Sequence, residues 1–418
     1  GTYKDLVQQD GPMKTLFKAV KAATAGQGLE RIFITGVSPI VMSDITSGYN
    51  IAKDIHFESA FHDLCGFTEE EIETTLEAIM EEEGLGKDRV AEALSMMRTY
   101  YNGYRFAPER ARAVYNPTLA LYFFDQVVRQ GRYPRKMLDA NLAPDDTKLE
   151  YLARAASGRQ AILDLVQTNR PLEVTDIIDR FKLEEMLDSN EQDDDFIGSF
   201  LYYFGMLTLG EEGGHPLKLC LVIPNLVIRG LYVERIRRML MPTGILRDEG
   251  KAAAERLYMQ GEIEPLCRFV ETKLFAVFKN RDYRWMNEFS LRMAFLTLLY
   301  NDIGYMLDTE AQIGRGYADL VMIVRPDMRR FSLPDIVIEF KYVTLKEAGM
   351  TAETARSLEE GEVRALPAVE EAFSAARKQL SRYAQGLGNK YGQILRLRTF
   401  AVVSLGFERI VGGEVRRE

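Results

Sequence analysis

The pattern of apolar and polar positions is clearest in the last third of the chain. Apolar residues recur at helical spacing in two stretches, and runs with strand-like alternation lie between and after them. The predicted elements are, in order, a helix over Trp285–Tyr300, strands over Tyr305–Glu310, Tyr317–Val324 and Asp335–Val343, a helix over Pro367–Gln385, and a strand over Leu395–Phe407. This order predicts one α/β unit.

The preceding part of the chain predicts mostly helices with a few short strands. The apolar run Arg31–Gly36 predicts a buried strand that ends at a glycine turn, and residues 118–245 have mostly helical periodicity. A hairpin interrupts these helices, because the strand-like segments Leu207–Leu209 and Leu217–Ile223 flank the turn-forming residues Glu211–His215. The whole chain has 418 residues, and single hydrophobic cores stop growing near roughly 250–300 residues. We therefore expect two or three domains.

Composition limits the classes of protein and of site. The formal net charge of −9 excludes a protein that coats nucleic acid nonspecifically, although one local basic groove remains compatible with it. With only three cysteines and three histidines, neither a thiolate zinc site nor a histidine-rich metal site is expected. Any metal would be held by carboxylates, which favours magnesium or manganese. No apolar run is long enough for a membrane span and no signal-peptide pattern opens the chain, so we expect a cytoplasmic protein without a membrane partner.

The strongest chemical signal lies on the second and third predicted strands of the last third. Glu339 and Lys341 share one face of an otherwise apolar strand, and Asp319 is the single acid of the strand before it. Buried charges of this kind need compensation, either from one another or from a metal ion. A hairpin would bring the two acids side by side and make a site for a hard divalent ion beside a lysine. The other interpretation is a buried Asp–Lys–Glu cluster that only fixes strand register.

Two short motifs carry a resemblance to a known family. The segments Gly316–Asp319 (GYAD) and Ile338–Lys341 (IEFK), together with the predicted element order, resemble the PD-(D/E)xK nuclease superfamily, although alanine stands where the motif's name has proline. The resemblance implies that Asp319 and Glu339 bind Mg²⁺ or Mn²⁺, with the Phe340 backbone carbonyl as a third ligand. It also implies that Lys341 positions or activates the attacking water.

Accessory residues follow from the same resemblance. Glu288 on the first helix and Glu310 at the end of the first strand resemble further metal-site acids, but Glu288 also stands four residues before Arg292, as in a helical ion pair. Gln379 resembles the glutamine that the superfamily carries near its site. Between residues 377 and 398 the chain has six basic residues and no acid. Four residues of the second helix are predicted to contact nucleic acid, with DNA as the expected partner: Arg377, Lys378, Arg382 and Tyr383. The alternative is that the charged ones only promote solubility.

A second resemblance covers the beginning of the chain. The segments Arg31–Ile40, Ser47–Asn50, Gly66–Glu71, Tyr101–Phe106 and Val114–Pro117 look like the later part of an AAA-ATPase-like domain. No GxxxxGK[ST] loop occurs in this sequence, so an ATPase would need a phosphate loop outside it. The expected α/β fold thus has a partial P-loop-like segment over residues 1–117, a mostly helical connector or lid over 118–248, and an αβββαβ restriction-endonuclease-like core over 249–418.

Three functions remain open from the sequence. The first is a metal-dependent nuclease that hydrolyses phosphodiester bonds of DNA or RNA through Asp319, Glu339 and Lys341. The second is a non-catalytic nucleic-acid-binding or regulatory module with a degenerate ATPase-like domain. The third is an ATPase whose phosphate loop lies outside this chain.

Overall fold

The fold is described from a computed structural model of the chain. It describes residues 12–24, 28–36, 53, 55–110, 112–138, 147–153, 156–167, 171–178, 193–211, 216–278, 288–313 and 316–416. Among these residues, no helix is both long and apolar enough to cross a bilayer. The motif at Ser47–Asn50, and part of the predicted turn at Glu211–His215, lie outside the described residues.

Helices make up most of the described residues before the last third. Helix α2 begins at Thr68, whose hydroxyl accepts the Glu71 N–H while the Glu71 carboxylate accepts the Thr68 N–H, so two backbone donors are satisfied at once. Helix α4 starts at an Asn116 cap followed by Pro117 and ends at Gly131 in the left-handed region. The first eight helices among the described residues are α1 (Pro12–Thr24), α2 (Glu69–Glu82), α3 (Asp88–Tyr101), α4 (Pro117–Gln130), α5 (Thr147–Leu152), α6 (Ala156–Gln167), α7 (Asp194–Tyr203) and α8 (Leu226–Leu240). A 3-10 turn lies at Ser59–Phe61.

A small sheet and a tight corner interrupt these helices. Strands β1 (Leu172–Val174), β2 (Thr208–Leu209) and β3 (Leu219–Val222) form an antiparallel sheet of order β1-β3-β2. The β2–β3 pairing confirms the predicted hairpin. At the corner, Gly103 has φ near +113°, and a Cβ there would meet the Pro224 carbonyl oxygen at 1.9 Å. Only glycine fits this close approach of two backbones.

The predicted strand at Arg31–Gly36 is wrong. The segment has no regular secondary structure, and Phe33 is 65% exposed. A buried strand requires neighbouring strands to accept and donate its backbone hydrogen bonds. Within the described ranges no strand pairs with this segment, because both sheets are built from residues after position 170.

The last third forms a five-stranded mixed sheet of order β4-β5-β6-β7-β8. All neighbours are antiparallel except β6 and β7, which run parallel and are joined by a crossover that contains the long helix α15. The strands are β4 (Tyr305–Ile313), β5 (Gly316–Val324), β6 (Asp335–Val343), β7 (Leu397–Leu405) and β8 (Arg409–Glu414). This sheet confirms the predicted α/β order of the last third and adds one strand, β8, to it.

The helices of this region complete the element list. They are α9 (Gly244–Gln260), α10 (Glu264–Phe269), a π-turn (Val270–Leu274), α11 (Phe275–Phe278), α12 (Glu288–Leu299), α13 (Ala352–Ser357), α14 (Glu360–Arg364) and α15 (Pro367–Tyr391), with 3-10 turns at Pro326–Met328 and Gly392–Ile394. The predicted helix over Trp285–Tyr300 corresponds to α12, and residues 285–287 lie outside the described residues.

Each face of the large sheet has its own apolar core. Leu320 and Phe340 belong to the core that contains α12, and this core continues into the preceding helices as far as Tyr104. Val321 and Val337 belong to the opposite core, which contains α15. Successive residues of a strand point to opposite faces, so the near-continuous apolar runs of β5 and β6 reflect burial on both sides. The helical and sheet regions are therefore packed against each other.

Arg325, at the end of β5, is fully buried and joins distant parts of the chain. Its guanidinium donates to the backbone carbonyls of Pro134, Arg135 and Asp302 and to both carboxylate oxygens of Asp327, at 2.8–3.2 Å. All five N–H donors of this arginine thus have acceptors, which is the condition for burying it. The domain boundaries predicted after residues 117 and 248 stay predictions.

Candidate active site

The sheet places Asp319 beside Glu339. Leu320 pairs with Ile338 and Val321 with Val337, so continuing the register sets residue 319 opposite residue 339. The Phe340 N–H donates to Asp319 Oδ2 at 2.8 Å, which ties the two strands together at this point. Asp319 is 7% exposed and Glu339 is 1% exposed. The two predicted ligands are therefore neighbouring, buried carboxylates.

Only one of the two carboxylate oxygens of Glu339 is hydrogen bonded to a described residue. Its Oε1 accepts a hydrogen bond from Lys341 Nζ at 2.7 Å, as expected for side chains two apart on one face of a strand. Its Oε2 is buried and has no hydrogen-bond partner among the described residues. Burying a carboxylate oxygen without a hydrogen-bond partner lowers the stability of the fold, so such an oxygen indicates a function, such as binding a cation.

Arg292 is the site residue that the sequence analysis missed. Its Nη2 contacts Asp319 Oδ1 at 2.7 Å and also contacts Glu288 Oε1. The predicted helical ion pair between Glu288 and Arg292 is thus present, and the same arginine reaches the sheet. The signal was available in the i, i+4 spacing on the helix that precedes the first strand, but spacing alone does not show which strand a helix end faces.

The electrostatics of the two acids differ from those of ordinary surface carboxylates. Burial, reinforced by the Glu339 charge, raises the pKa of Asp319 to about 7 against the opposing effects of Arg292 and the Phe340 N–H. Burial also raises the pKa of Glu339, although Lys341 counteracts it. A small cavity of about 10 Å³ on this side of the site is lined by Asp319 and Arg292 and by apolar side chains such as Leu296. The pair therefore holds a proton more tightly than isolated carboxylates do.

Helix α15 packs on the sheet face that contains Val321 and Val337, each two residues from a site carboxylate on its own strand. The Tyr383 hydroxyl donates to the Tyr317 carbonyl at 2.6 Å, and its ring is buried. Burial and the nearby Glu339 charge raise the pKa of Tyr383, while the Gln379 side chain opposes this. Tyr383 thus lies near the carboxylates, with Gln379 beside it, and the assignments of Gln379 to catalysis and of Tyr383 to nucleic acid stay predictions.

The six basic residues of the 377–398 stretch differ in exposure and in their partners. Arg377, Lys378 and Arg382 are exposed on α15. In contrast, Arg396 donates to the carbonyls of Phe331 and Arg329, and Arg398 pairs with Glu414 and with the Gln260 carbonyl. The sixth, Lys390, lies over the Tyr391 ring. The two arginines with several internal partners are structural, whereas the exposed group matches the cations predicted to contact nucleic acid.

The remaining predicted ligand, Glu310, lies within β4. Thr309 pairs with Leu320 and Ala311 with Ala318, which puts residue 310 opposite residue 319, but the Glu310 side chain lies outside the described residues. Among the described side chains, no three His, Cys, Asp or Glu residues converge on one point. The fit to a metal therefore depends on two carboxylates and a backbone carbonyl. Magnesium commonly binds proteins through one or two carboxylates while keeping several waters. This donor set fits such an ion, as does Glu339 Oε2, to which no described side chain or backbone group donates.

Comparison with known proteins agrees with the C-terminal part of this description. Residues 286–414 match the PD-(D/E)XK nuclease superfamily, which confirms a C-terminal domain of that superfamily. Over 118 residues, 28% of this chain, the sequence is 32% identical to a protein of Azotobacter chroococcum mcd 1 described as "Uncharacterized protein in vnfD 5'region". The match covers 20% of that relative's length. No solved structure matches the chain.

Proposed function

We propose that this C-terminal nuclease-superfamily domain hydrolyses phosphodiester bonds of DNA in a reaction that depends on Mg²⁺ or Mn²⁺. The observation that carries the proposal is the buried Oε2 of Glu339 next to Asp319 and Lys341, for which the described residues provide no hydrogen-bond partner. A purely structural cluster would be expected to satisfy every buried oxygen, because each unsatisfied one is destabilising. The unfilled oxygen supports a cation-binding role.

In this proposal, Asp319, Glu339 and the Phe340 carbonyl hold the divalent ion. When bound, the ion would stabilise negative charge on the phosphate and make a coordinated water more acidic. Asp319 is preset for this role by the Phe340 N–H, which fixes its Oδ2. Glu310 and Glu288 are accessory acids in the same proposal.

Lys341 contributes a positive charge at the edge of the site. Its Nζ is held on Glu339 Oε1 at 2.7 Å, yet the side chain is only partly buried, so the ammonium remains within reach of solvent and substrate. It can orient a water for attack by hydrogen bonding and offset charge on the phosphate. The exposed cations Arg377, Lys378 and Arg382 would contact the phosphate backbone.

The test is cleavage of single-stranded, duplex and branched DNA, and of RNA, with Mg²⁺ or Mn²⁺ and with chelator. We expect metal-dependent cleavage of DNA that is lost in Asp319→Asn and Lys341→Met. The matched control is Lys346→Met, the same change at an exposed lysine just beyond β6, which should keep full activity. Equal cleavage by Lys341→Met and the wild type would contradict the proposal, as would no cleavage of any substrate. Cleavage of RNA alone would correct the substrate class.

A non-catalytic nucleic-acid-binding module is the second candidate. The observation that favours it is the contact of Arg292 with Asp319 Oδ1, because a cation supplied by the protein already neutralises one predicted ligand. This candidate predicts salt-dependent DNA binding without cleavage under any metal condition. The ATPase-like assignment of residues 1–117, and an ATPase with its phosphate loop elsewhere, stay predictions from the sequence.

A further inference from the structure

Two carboxylate oxygens from different elements converge on one nitrogen atom. Arg292 Nη2 contacts Glu288 Oε1 from its own helix and Asp319 Oδ1, at 2.7 Å, from strand β5. Acidic oxygens that meet at a single point form the arrangement that a small hard cation would otherwise take. The structure thus has two cation positions at this site: one filled by Arg292, and one marked by Glu339 Oε2, which has no partner among the described residues.

The charges at the site limit how many ions it can take. The described carboxylates Glu288, Asp319 and Glu339 give −3, and Arg292 and Lys341 give +2, so these five groups sum to −1. Glu310, which the strand register sets opposite Asp319, adds another −1 and makes the sum −2. One divalent ion brings this sum to 0, whereas two would bring it to +2. In a buried site of low dielectric, that excess of like charge is strongly unfavourable.

We propose that Arg292 takes the place of a second metal ion, so that the site binds one divalent ion. The inference rests on the proposed function, because it concerns how that same site is charged. In two-metal nucleases, ions about 3.5–4 Å apart stabilise the attacking and the leaving oxygen. Here the guanidinium supplies the second positive charge from the protein. It is a positioning residue, since it acts through Asp319 and Glu288.

The test is the number of Mn²⁺ ions bound per chain. The full chain is freed of metal and titrated at pH 8, with bound Mn²⁺ counted by electron paramagnetic resonance and calorimetry. We expect one ion for the wild type and for Arg292→Lys, which keeps the charge. We expect two for Arg292→Gln, because Glu288 and Asp319 are then released to a metal. The count should return to one in the double variant E288Q/R292Q.

A matched control removes another arginine of the same kind. Arg129 pairs with Asp125 across one helical turn, far along the chain from the site and on the surface, so Arg129→Gln should still bind one ion. Circular dichroism and thermal melting establish that each variant is folded. If Arg292→Gln does not fold, the ion count of Arg292→Lys still tests the inference.

The outcomes separate this inference from the nuclease proposal. Two ions in the wild type or in Arg292→Lys, or a single ion in folded Arg292→Gln, would overturn the inference, and no bound ion in the wild type would do the same. One ion in the wild type and two in Arg292→Gln support it. If that result came with no cleavage of any nucleic acid, the nuclease proposal would fail while the ion count stood.

Discussion

Strand β6 carries two buried carboxylates, Asp335 at its start and Glu339 four residues later, and they are compensated very differently. Both Asp335 oxygens are hydrogen bonded: Arg329 binds them in a bidentate pair at 2.6 and 2.7 Å, and the N–H groups of Val324 and Arg396 donate at 2.8 Å. Glu339 has Lys341 on one oxygen and no described partner on the other.

The comparison separates a structural carboxylate from a functional one within a single strand. Asp335 receives four hydrogen bonds, which together fix the start of β6 against β5 and the turn before β7. Glu339 is held in place without being satisfied. Proteins tolerate such incomplete compensation chiefly where a ligand supplies the missing partner. Burial and the acidic residue type are the same in both cases, so only the list of partners distinguishes them.

The largest expected effect is the loss of activity on replacing Glu339, the carboxylate whose hydrogen bonding is incomplete. Glu339→Gln should lower metal-dependent DNA cleavage by about 10³-fold, because the amide removes a charged ligand. It should also raise the free energy of unfolding at pH 8 by about 1 kcal/mol, because the substitution removes a buried negative charge whose hydrogen bonding is incomplete. Cleavage assays and urea unfolding measure the two effects. Glu347→Gln, the same change at an exposed position, is the control, and a large loss of stability in Glu339→Gln would contradict the comparison.

Replacing Asp335, whose oxygens are both hydrogen bonded, should lower stability and leave activity almost unchanged. Asp335→Ala should lower the free energy of unfolding by about 3–5 kcal/mol, because it leaves Arg329 without its carboxylate and two N–H groups without acceptors. Cleavage per folded molecule, measured at low temperature, should remain close to that of the wild type. Urea unfolding monitored by circular dichroism checks the stability. A variant that unfolds normally but no longer cleaves DNA would show that Asp335 has a functional role as well.

The pH dependence of stability should come from Asp319, which lies beside Glu339 on the neighbouring strand. Because burial and the Glu339 charge raise the pKa of Asp319 from 3.8 to about 7, the folded protein binds this proton more tightly than the unfolded chain. The stability from this group is full below pH 4 and is lost as the pH rises through 7. In chelator, the free energy of unfolding should therefore fall by a few kcal/mol between pH 5 and 8.

Thermal melts across this range in wild type and Asp319→Asn would check it. The variant should show a flatter profile, since it has no carboxyl to titrate at that position. Added Mg²⁺ at pH 8 should raise the wild-type melting temperature, because an ion that binds only the folded state stabilises it. An unchanged profile in the variant would mean that another group carries the dependence.

The smallest effects concern the basic residues. Replacing Arg377, Lys378 and Arg382 together with glutamine should weaken DNA binding. It should also reduce the slope of log affinity against log salt by about 2–3, because each lost charge contributes about 1 to the slope. Arg396→Gln should instead lower stability by about 1 kcal/mol and leave the slope unchanged, because its guanidinium is bonded to backbone carbonyls. Fluorescence anisotropy in chelator measures the affinities. Equal slopes for both variants would remove α15 from the nucleic-acid surface.

The features that could be predicted from the sequence are those determined by residues close together in the chain. The bounds of β6 were predicted residue for residue, since an apolar run of that length between turn formers has few alternatives. The juxtaposition of Asp319 and Glu339 followed from a hairpin, whose pairing is set by nearby residues. The superfamily assignment of the last third rested on the same two strands and is confirmed.

The errors and omissions share a different cause. The apolar run at Arg31–Gly36 has the composition of a strand, but a strand exists only if other strands pair with it, and composition contains no information about partners. Arg292 was seen as half of a helical ion pair, whereas its contact with Asp319 depends on how α12 lies across the sheet. Glu339 Oε2 has no hydrogen-bond partner in the part of the chain that the structure describes, and this too depends on the three-dimensional arrangement.

The buried guanidinium of Arg325 bears on how the chain can be cut for expression. Its acceptors include the carbonyls of Pro134 and Arg135, about 190 positions earlier in the chain. A fragment limited to the matched residues 286–414 would lack both carbonyls and would expose the sheet face that packs against the helical region. Fragment boundaries drawn from the family match alone should therefore yield poorly soluble protein, and a useful fragment has to keep the segment around residues 134 and 135.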